Sequence, residues 1–195
     1  MRYSQFSEDD VTLRLVEQLQ PPKTFVEIGA GDGIENCTRV LAEMGWSGTW
    51  FDRHEPYRAT MDAAIEGFAG EVEARIEDVT IENVIWLLKE SQVEREFGVL
   101  SIDVDGNDYW LWRELCTRAF KPWLCIIEAQ IQVEGSYIMA YSRDYVWPGD
   151  DNVPGASIDS MTALGKDMGY TFVQKCPDYH SPNLFFVRDD LVSRL

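Results

Sequence analysis

The feature that most constrains this 195-residue chain is a recurring unit, a short apolar run that stops at a carboxylate or a glycine and is followed by a stretch of helical spacing. Residues 24–28 lead into a glycine-rich turn, while residues 48–52, 99–103 and 124–128 end on Asp52, Asp103 and Glu128, and residues 71–74 form a weaker run of the same kind. Helical faces lie between them: Val11, Leu15, Val16 and Leu19 before Pro21-Pro22; Val40, Leu41 and Met44 before Gly45; residues 57–68; Ile81, Val84, Ile85 and Leu88; Leu111 and Leu115. Continuously apolar strands belong to a parallel sheet covered on both faces, and strand–helix repetition gives the same class. A last helical face (Ile158, Met161, Leu164, Met168) stops at Gly169, and residues 170–173 and 184–187 read as two closing strands, a hairpin in outline. The expectation is an α/β fold: a mostly parallel, seven-stranded sheet with helices on both faces.

One domain spans residues 1–195, with residues 1–22 as an N-terminal helix segment. Residues 130–156 break the rhythm with Tyr137, Tyr141, Tyr145 and Trp147 set among Gly, Pro and Asp. A connection this long is usually functional, so it reads as a lid on the substrate side.

With 34 acidic against 17 basic residues the formal net charge is −17, a field that repels phosphate backbones and anionic membranes. Nucleic acid and membrane are therefore not expected partners; a neutral or cationic small molecule, or a metal ion, suits the field. No apolar run approaches the roughly 20 residues of a membrane span, and the first ten residues lack a secretory signal. Cys37, Cys116, Cys125 and Cys176 are dispersed without a CxxC pair, so buried free thiols and a cytoplasmic location are expected.

The turn Glu27-Ile28-Gly29-Ala30-Gly31-Asp32-Gly33 puts bare backbone against a ligand, because glycine permits positive φ and removes the side chain. Dinucleotides and S-adenosylmethionine both use such turns. The dinucleotide fingerprint G-x-G-x-x-G needs a third glycine where this chain has Glu35. Glu27 and Asp32 add negative charge that repels a pyrophosphate and suits a sulfonium and an ammonium. Asp52, about 20 residues on, is placed to grip ribose hydroxyls. Asp78 is placed either to reach an adenine amino group or to cap the helix before Ile81. His54, just past the second strand, is a candidate base.

Asp103-Val104-Asp105-Gly106-Asn107-Asp108 is the densest set of oxygen ligands in the chain. A calcium loop matches at its acids, at Asn107 and at Glu114, yet position six is Asp108 where glycine is required. Asp103 and Asp105 can hold a divalent metal such as Mg2+ with Glu128 and acidify an acceptor hydroxyl. Alternatively Asp105 acts as general base without metal, while Asn107 and Asp108 cap the next helix. The Asp-x-Asp pair also admits a metal-dependent glycosyltransferase.

Tyr3-Ser4-Gln5 followed by Glu8-Asp9, the run 25–33, Trp46-Ser47-Gly48, the run 101–109, Gly155-Ala156-Ser157, Gly169-Tyr170 and the run 183–187 together resemble FkbM-like methyltransferases over nearly the whole chain. The resemblance implies a Rossmann-like class I methyltransferase fold and S-adenosylmethionine-dependent O-methylation of a sugar or other hydroxylated metabolite. Matching positions imply cofactor contacts at Gln5, Glu27, Gly29, Gly31, Asp52 and Asp103. With the neighbouring turn residues Ala30, Asp32 and Gly33, with Asn36 and with Asp78, these form the expected cofactor set. Asp105, His54 and Glu128 form the expected catalytic set. Ser7 stands where relatives often carry Gly, and Asn36-Cys37-Thr38 replaces a commoner Ser-Asn-Thr. A catalytically silent S-adenosylmethionine-binding module is the alternative, and the oligomeric state is left open between a single chain and a homo-oligomer.

Overall fold

A computed structural model describes residues 2–148 and 154–195. The elements run α1 (Glu8–Leu19), β1 (Thr24–Ile28), α2 (Arg39–Glu43), β2 (Ser47–Asp52), α3 (Arg58–Ile65), β3 (Val72–Ile76), α4 (Val84–Glu90), β4 (Val99–Ile102), α5 (Asp108–Arg118), β5 (Leu124–Glu128), α6 (Ile158–Met168), β6 (Tyr170–Lys175) and β7 (Asn183–Arg188). One seven-stranded sheet has the order β3-β2-β1-β4-β5-β7-β6. The first five strands pair in parallel, and β7 runs antiparallel between β5 and β6. The closing hairpin thus folds back so that its second strand, not its first, meets β5.

Side chains alternate across this sheet with period two. Val26 and Ile28, Leu100 and Ile102, and Cys125 and Ile127 face one core, which α4, α5 and α6 cover with Leu87, Trp112 and Met161. Phe25, Val99, Leu124 and Ile126 face the other, covered by α1, α2 and α3 with Leu15, Leu41 and Met61. The order reverses between β1 and β4, which opens the crevice where open α/β sheets bind ligands, beyond the carboxyl ends of the strands.

Several local expectations are corrected. The glycine turn does not open a helix directly: residues 31–38 are irregular, and α2 is a five-residue helix. α4 starts at Val84 rather than Ile81, because Asn83 Oδ1 accepts the Thr80 N–H (2.7 Å) and closes a separate turn first. Asp78 therefore caps no helix. Asn107 occupies the cap position of α5, but its side chain makes no cap bond. α1 ends at Gln20, in the left-handed region at φ 53°, just before Pro21.

The segment ahead of α1 is a folded clasp. The Asp9 carboxylate accepts the Tyr3 and Ser4 N–H groups, and Ser4 Oγ accepts the Asp9 N–H. Glu8, also buried, accepts from Phe6 N–H, from the Ser181 hydroxyl and from Asn183 Nδ2 (3.1 Å). The Glu-Asp pair thus ties the N-terminus to the entry of β7.

Candidate functional site

A cavity of about 400 Å³ lies over the carboxyl ends of β1, β2 and β4. Gly29 forms part of its wall where the backbones of β1 and β4 nearly touch. A Cβ at Gly29 would stand 1.7 Å from the Asp103 carbonyl oxygen, and φ is +89°. No other residue fits there. Gly31, at φ +59°, donates its N–H to Asp52 Oδ2 (2.9 Å), and Asp52 Oδ1 accepts the His54 N–H (2.8 Å). Asp52 therefore braces the turn and still lines the cavity. Burial raises its carboxyl above the usual aspartate range, opposed by those two N–H groups.

Glu27 occupies a different environment. It precedes the last strand residue, so its side chain points into the sheet face rather than over the strand end. There it is fully buried and accepts from Cys37 N–H (2.9 Å), Thr38 N–H (3.0 Å) and the Thr38 hydroxyl, which in turn accepts from Trp50 Nε1 (2.9 Å). Burial pushes the carboxyl up to about 7, with those hydrogen bonds acting in the opposite direction. The Cys37 and Thr38 amides, just ahead of α2, are thus spent on Glu27 from within.

Of the expected cofactor residues, Gly29, Gly31, Asp52, Asp78 and Asp103 line the cavity. Glu27, Ala30, Asp32, Gly33, Asn36 and Gln5 do not line it. Ala30 is buried with its N–H on the Phe51 carbonyl, and Asn36 Nδ2 returns to the Ala30 carbonyl (3.3 Å). Asp32 accepts the Ile34 N–H, Gly33 is pressed against Trp50 and Met61, and Gln5 is exposed on the clasp. Most of these residues shape the turn from behind.

The acids after β4 and β5 converge. Carboxylate oxygens of Asp103, Asp105 and Glu128 lie within 4.8 Å of one another. Asp103 and Glu128 lie side by side, and burial with the neighbouring acids holds both carboxyls well above the ordinary carboxylate range. Asp105 is raised chiefly by burial, with Arg53 lowering it and Asp52 raising it. Its backbone is left-handed at φ 57°, a conformation that costs an aspartate on the order of 1 kcal/mol. Asp108 holds it there by accepting the Val104 and Gly106 N–H groups, both at 2.8 Å. Burial raises Asp108 to about 6 against those same bonds. His54 lines the cavity from β2, its ring 4.5 Å from that of Tyr57.

The expected lid crosses this mouth. Trp110 Nε1 donates to the Met139 carbonyl, Asn107 Nδ2 to the Ser142 carbonyl and the Tyr141 hydroxyl to Glu82. Arg53 donates to the Tyr145 carbonyl, and the Tyr145 ring lies against Gly106. Residues 149–153 of the expected lid lie outside the described residues. Tyr145 of the expected lid also lines the cavity, as do Arg53 and Arg143, which carried no expectation. Only for Arg53, between Asp52 and His54, did position offer a signal.

No family model matches the sequence, and no curated protein does. Solved structures do match. Magnesium protoporphyrin IX methyltransferase from Synechocystis, with bound S-adenosylhomocysteine, aligns at TM-score 0.60 and 13% identity over 93% of this chain and 82% of that one. The N-terminal domain of EvdMO1, determined in the presence of S-adenosylhomocysteine and D-fucose, aligns at 0.58 and 14% over 93% and 82%. Burkholderia thailandensis 1,6-didemethyltoxoflavin-N1-methyltransferase, with its substrate and S-adenosylhomocysteine, gives 0.58 and 14% over 93% and 76%. The chain has the Rossmann-like fold of class I S-adenosylmethionine-dependent methyltransferases. At these identities the likeness is one of fold.

Proposed function

We propose that the chain is an S-adenosylmethionine-dependent methyltransferase that methylates a hydroxyl of a small molecule, as its FkbM-like motifs imply. The observation that carries this reading is the bare backbone at Gly29 and Gly31 on the wall of a cavity that Asp52 also lines, with the Cys37 and Thr38 amides just ahead of α2 already taken by Glu27. A pyrophosphate would meet Asp52, Glu77, Asp78, Asp103 and Asp105, which outnumber Arg53 and Arg143 on the same wall; a cationic sulfur nucleoside meets complementary charge. The solved neighbours that carry S-adenosylhomocysteine support the same cofactor, and the one determined with D-fucose is consistent with a sugar acceptor. Among the described residues no helix is long and apolar enough to cross a membrane, and the four cysteines are buried and free, which supports a cytoplasmic site of action.

S-adenosylmethionine, when bound, supplies an electrophilic methyl group on a good leaving group, so the protein's task is mainly alignment. Asp52 accepts from the ribose hydroxyls, Asp78 from the adenine amino group, and the Gly29 and Gly31 backbones admit the rest of the nucleoside. Asp105 takes the acceptor's proton; Asp103 and Glu128 hold the acceptor oxygen, and His54, also on the cavity wall, is an auxiliary base. The same three carboxylates fit a divalent metal such as Mg2+, which would supply Lewis acidity to an acceptor hydroxyl.

Isothermal titration tests the reading. S-adenosylmethionine and S-adenosylhomocysteine should both bind, and Gly31→Arg should abolish the heat. Absence of heat from either ligand with the native protein defeats the proposal. Thermal shifts from nucleotide sugars plus manganese, with none from S-adenosylhomocysteine, would turn the assignment to a glycosyltransferase.

A further inference from the structure

Beyond the acid cluster lies a second cavity of about 280 Å³, over the ends of β5 and the entry of β7. Glu128, Gln130, Gln132, Trp147 and His180 line it, with Asp108 at its base. His180, an exposed residue, belongs to this wall. The two cavities meet at the acid cluster: Asp103 and Asp105 line the first, Glu128 lines the second, and their carboxylate oxygens lie within 4.8 Å of one another.

Their linings differ in charge. The first contains Arg53 and Arg143 beside its aspartates. Among the described residues, the second has no lysine or arginine, and its ionisable groups are two carboxyls and one imidazole. The Trp147 indole, 43% exposed, offers a π face at the mouth, and the two glutamines offer neutral donors and acceptors. Burying an anion in such a site leaves its charge uncompensated, whereas an ammonium gains the carboxyls and the indole.

We infer that the second cavity is the acceptor site and that it selects a cationic, hydroxyl-bearing molecule, an amino alcohol or amino sugar, over neutral and anionic analogues. The acceptor role rests on the methyltransferase reading; the charge selection rests on the cavity alone. A hydroxyl held against Glu128 reaches the acid cluster, whose Asp103 and Asp105 border the first cavity.

The test is calorimetry with glucosamine, glucose and glucuronate as probes, with EDTA present, on the protein both free and saturated with S-adenosylhomocysteine. Glucosamine should bind at least about tenfold tighter than glucose, with glucuronate giving no heat. Gln132→Lys, which adds a cation to the wall outside the cofactor cavity, should weaken glucosamine about tenfold and admit glucuronate, leaving S-adenosylhomocysteine affinity unchanged. Equal binding of the three probes, a preference for glucuronate, heat from none, or indifference to Gln132→Lys overturns the inference. If S-adenosylhomocysteine gives no heat while the probe ranking and its reversal hold, charge selection stands and methyl transfer falls.

Discussion

Glu27 and Glu128 are both glutamates at the ends of parallel strands in one sheet, and burial raises both carboxyls, yet they face different surroundings. Glu128 is the last residue of β5 and reaches over the strand end to Asp103 and the second cavity. Glu27 lies one residue inside β1, so the two-residue period turns it into the core beside Thr38 and Trp50. A shift of one position separates a group available to chemistry from one that holds the turn together. The acid in the motif Glu27-Ile28-Gly29 therefore braces the glycine turn from behind, while Asp52 and Glu128, ending their strands, and Asp103, just after β4, line the cavities.

The contrast breaks most visibly at Glu27. Glu27→Ala would strand the buried N–H groups of Cys37 and Thr38 and leave a cavity, a loss on the order of 4 kcal/mol. For a chain of this length that is a fall in melting temperature of roughly 10 °C, measured by circular dichroism. A loss of S-adenosylhomocysteine affinity with unchanged stability would move Glu27 from the frame into the binding site. The next effect is catalytic. Asp105→Asn should lower turnover of any accepted substrate by about 100-fold or more, the range of a lost general base, while the melting temperature and S-adenosylhomocysteine affinity hold. Unchanged turnover removes Asp105 from the mechanism and favours a silent binding module.

The sheet was legible because its strands are continuously apolar and punctuated by acids and glycines, and the crevice followed from the parallel order. The carboxylates that end strands or follow them were legible for the same reason, and Asp103, Asp105 and Glu128 do converge as their positions suggested. What the sequence obscured was direction. Motif membership names Glu27, Ala30 and Asn36 beside Gly29 and Gly31, but only the fold shows that the first three face inward. Arg143 and His180 were obscure because they sit on irregular segments, where no periodicity links residue number to a wall. Glu8 ties the clasp to Ser181 and Asn183 at the entry of β7 and Asp9 holds Tyr3 and Ser4, and neither acid lines the cavity.

Asp52 lies between the two extremes, since it braces Gly31 and faces the cavity at once. Asp52→Ala should weaken S-adenosylhomocysteine about 10- to 50-fold, the worth of hydrogen bonds to a charged acceptor. Asp52→Asn separates its two duties: it keeps an acceptor for one of the two N–H groups and restores part of the stability, but little of the affinity. Full recovery of affinity by asparagine would assign Asp52 to bracing alone.

The smallest effect lies in the pH dependence of stability, and its sign follows from Glu27. Its carboxyl titrates near 7 in the folded chain against an ordinary 4.5, with burial the larger cause. Between those two values the folded chain binds more protons than the unfolded one, so stability falls as pH rises through the window and levels off above it. Asp108, raised by burial to about 6, contributes in the same direction. The native protein should therefore melt higher at pH 6 than at pH 8. Glu27→Gln, though less stable throughout, should remove roughly 1 kcal/mol of that difference. If Glu27→Gln leaves the slope of melting temperature against pH intact, the buried acid is not the group that titrates, and the distinction between an inward and an outward glutamate loses its electrostatic half.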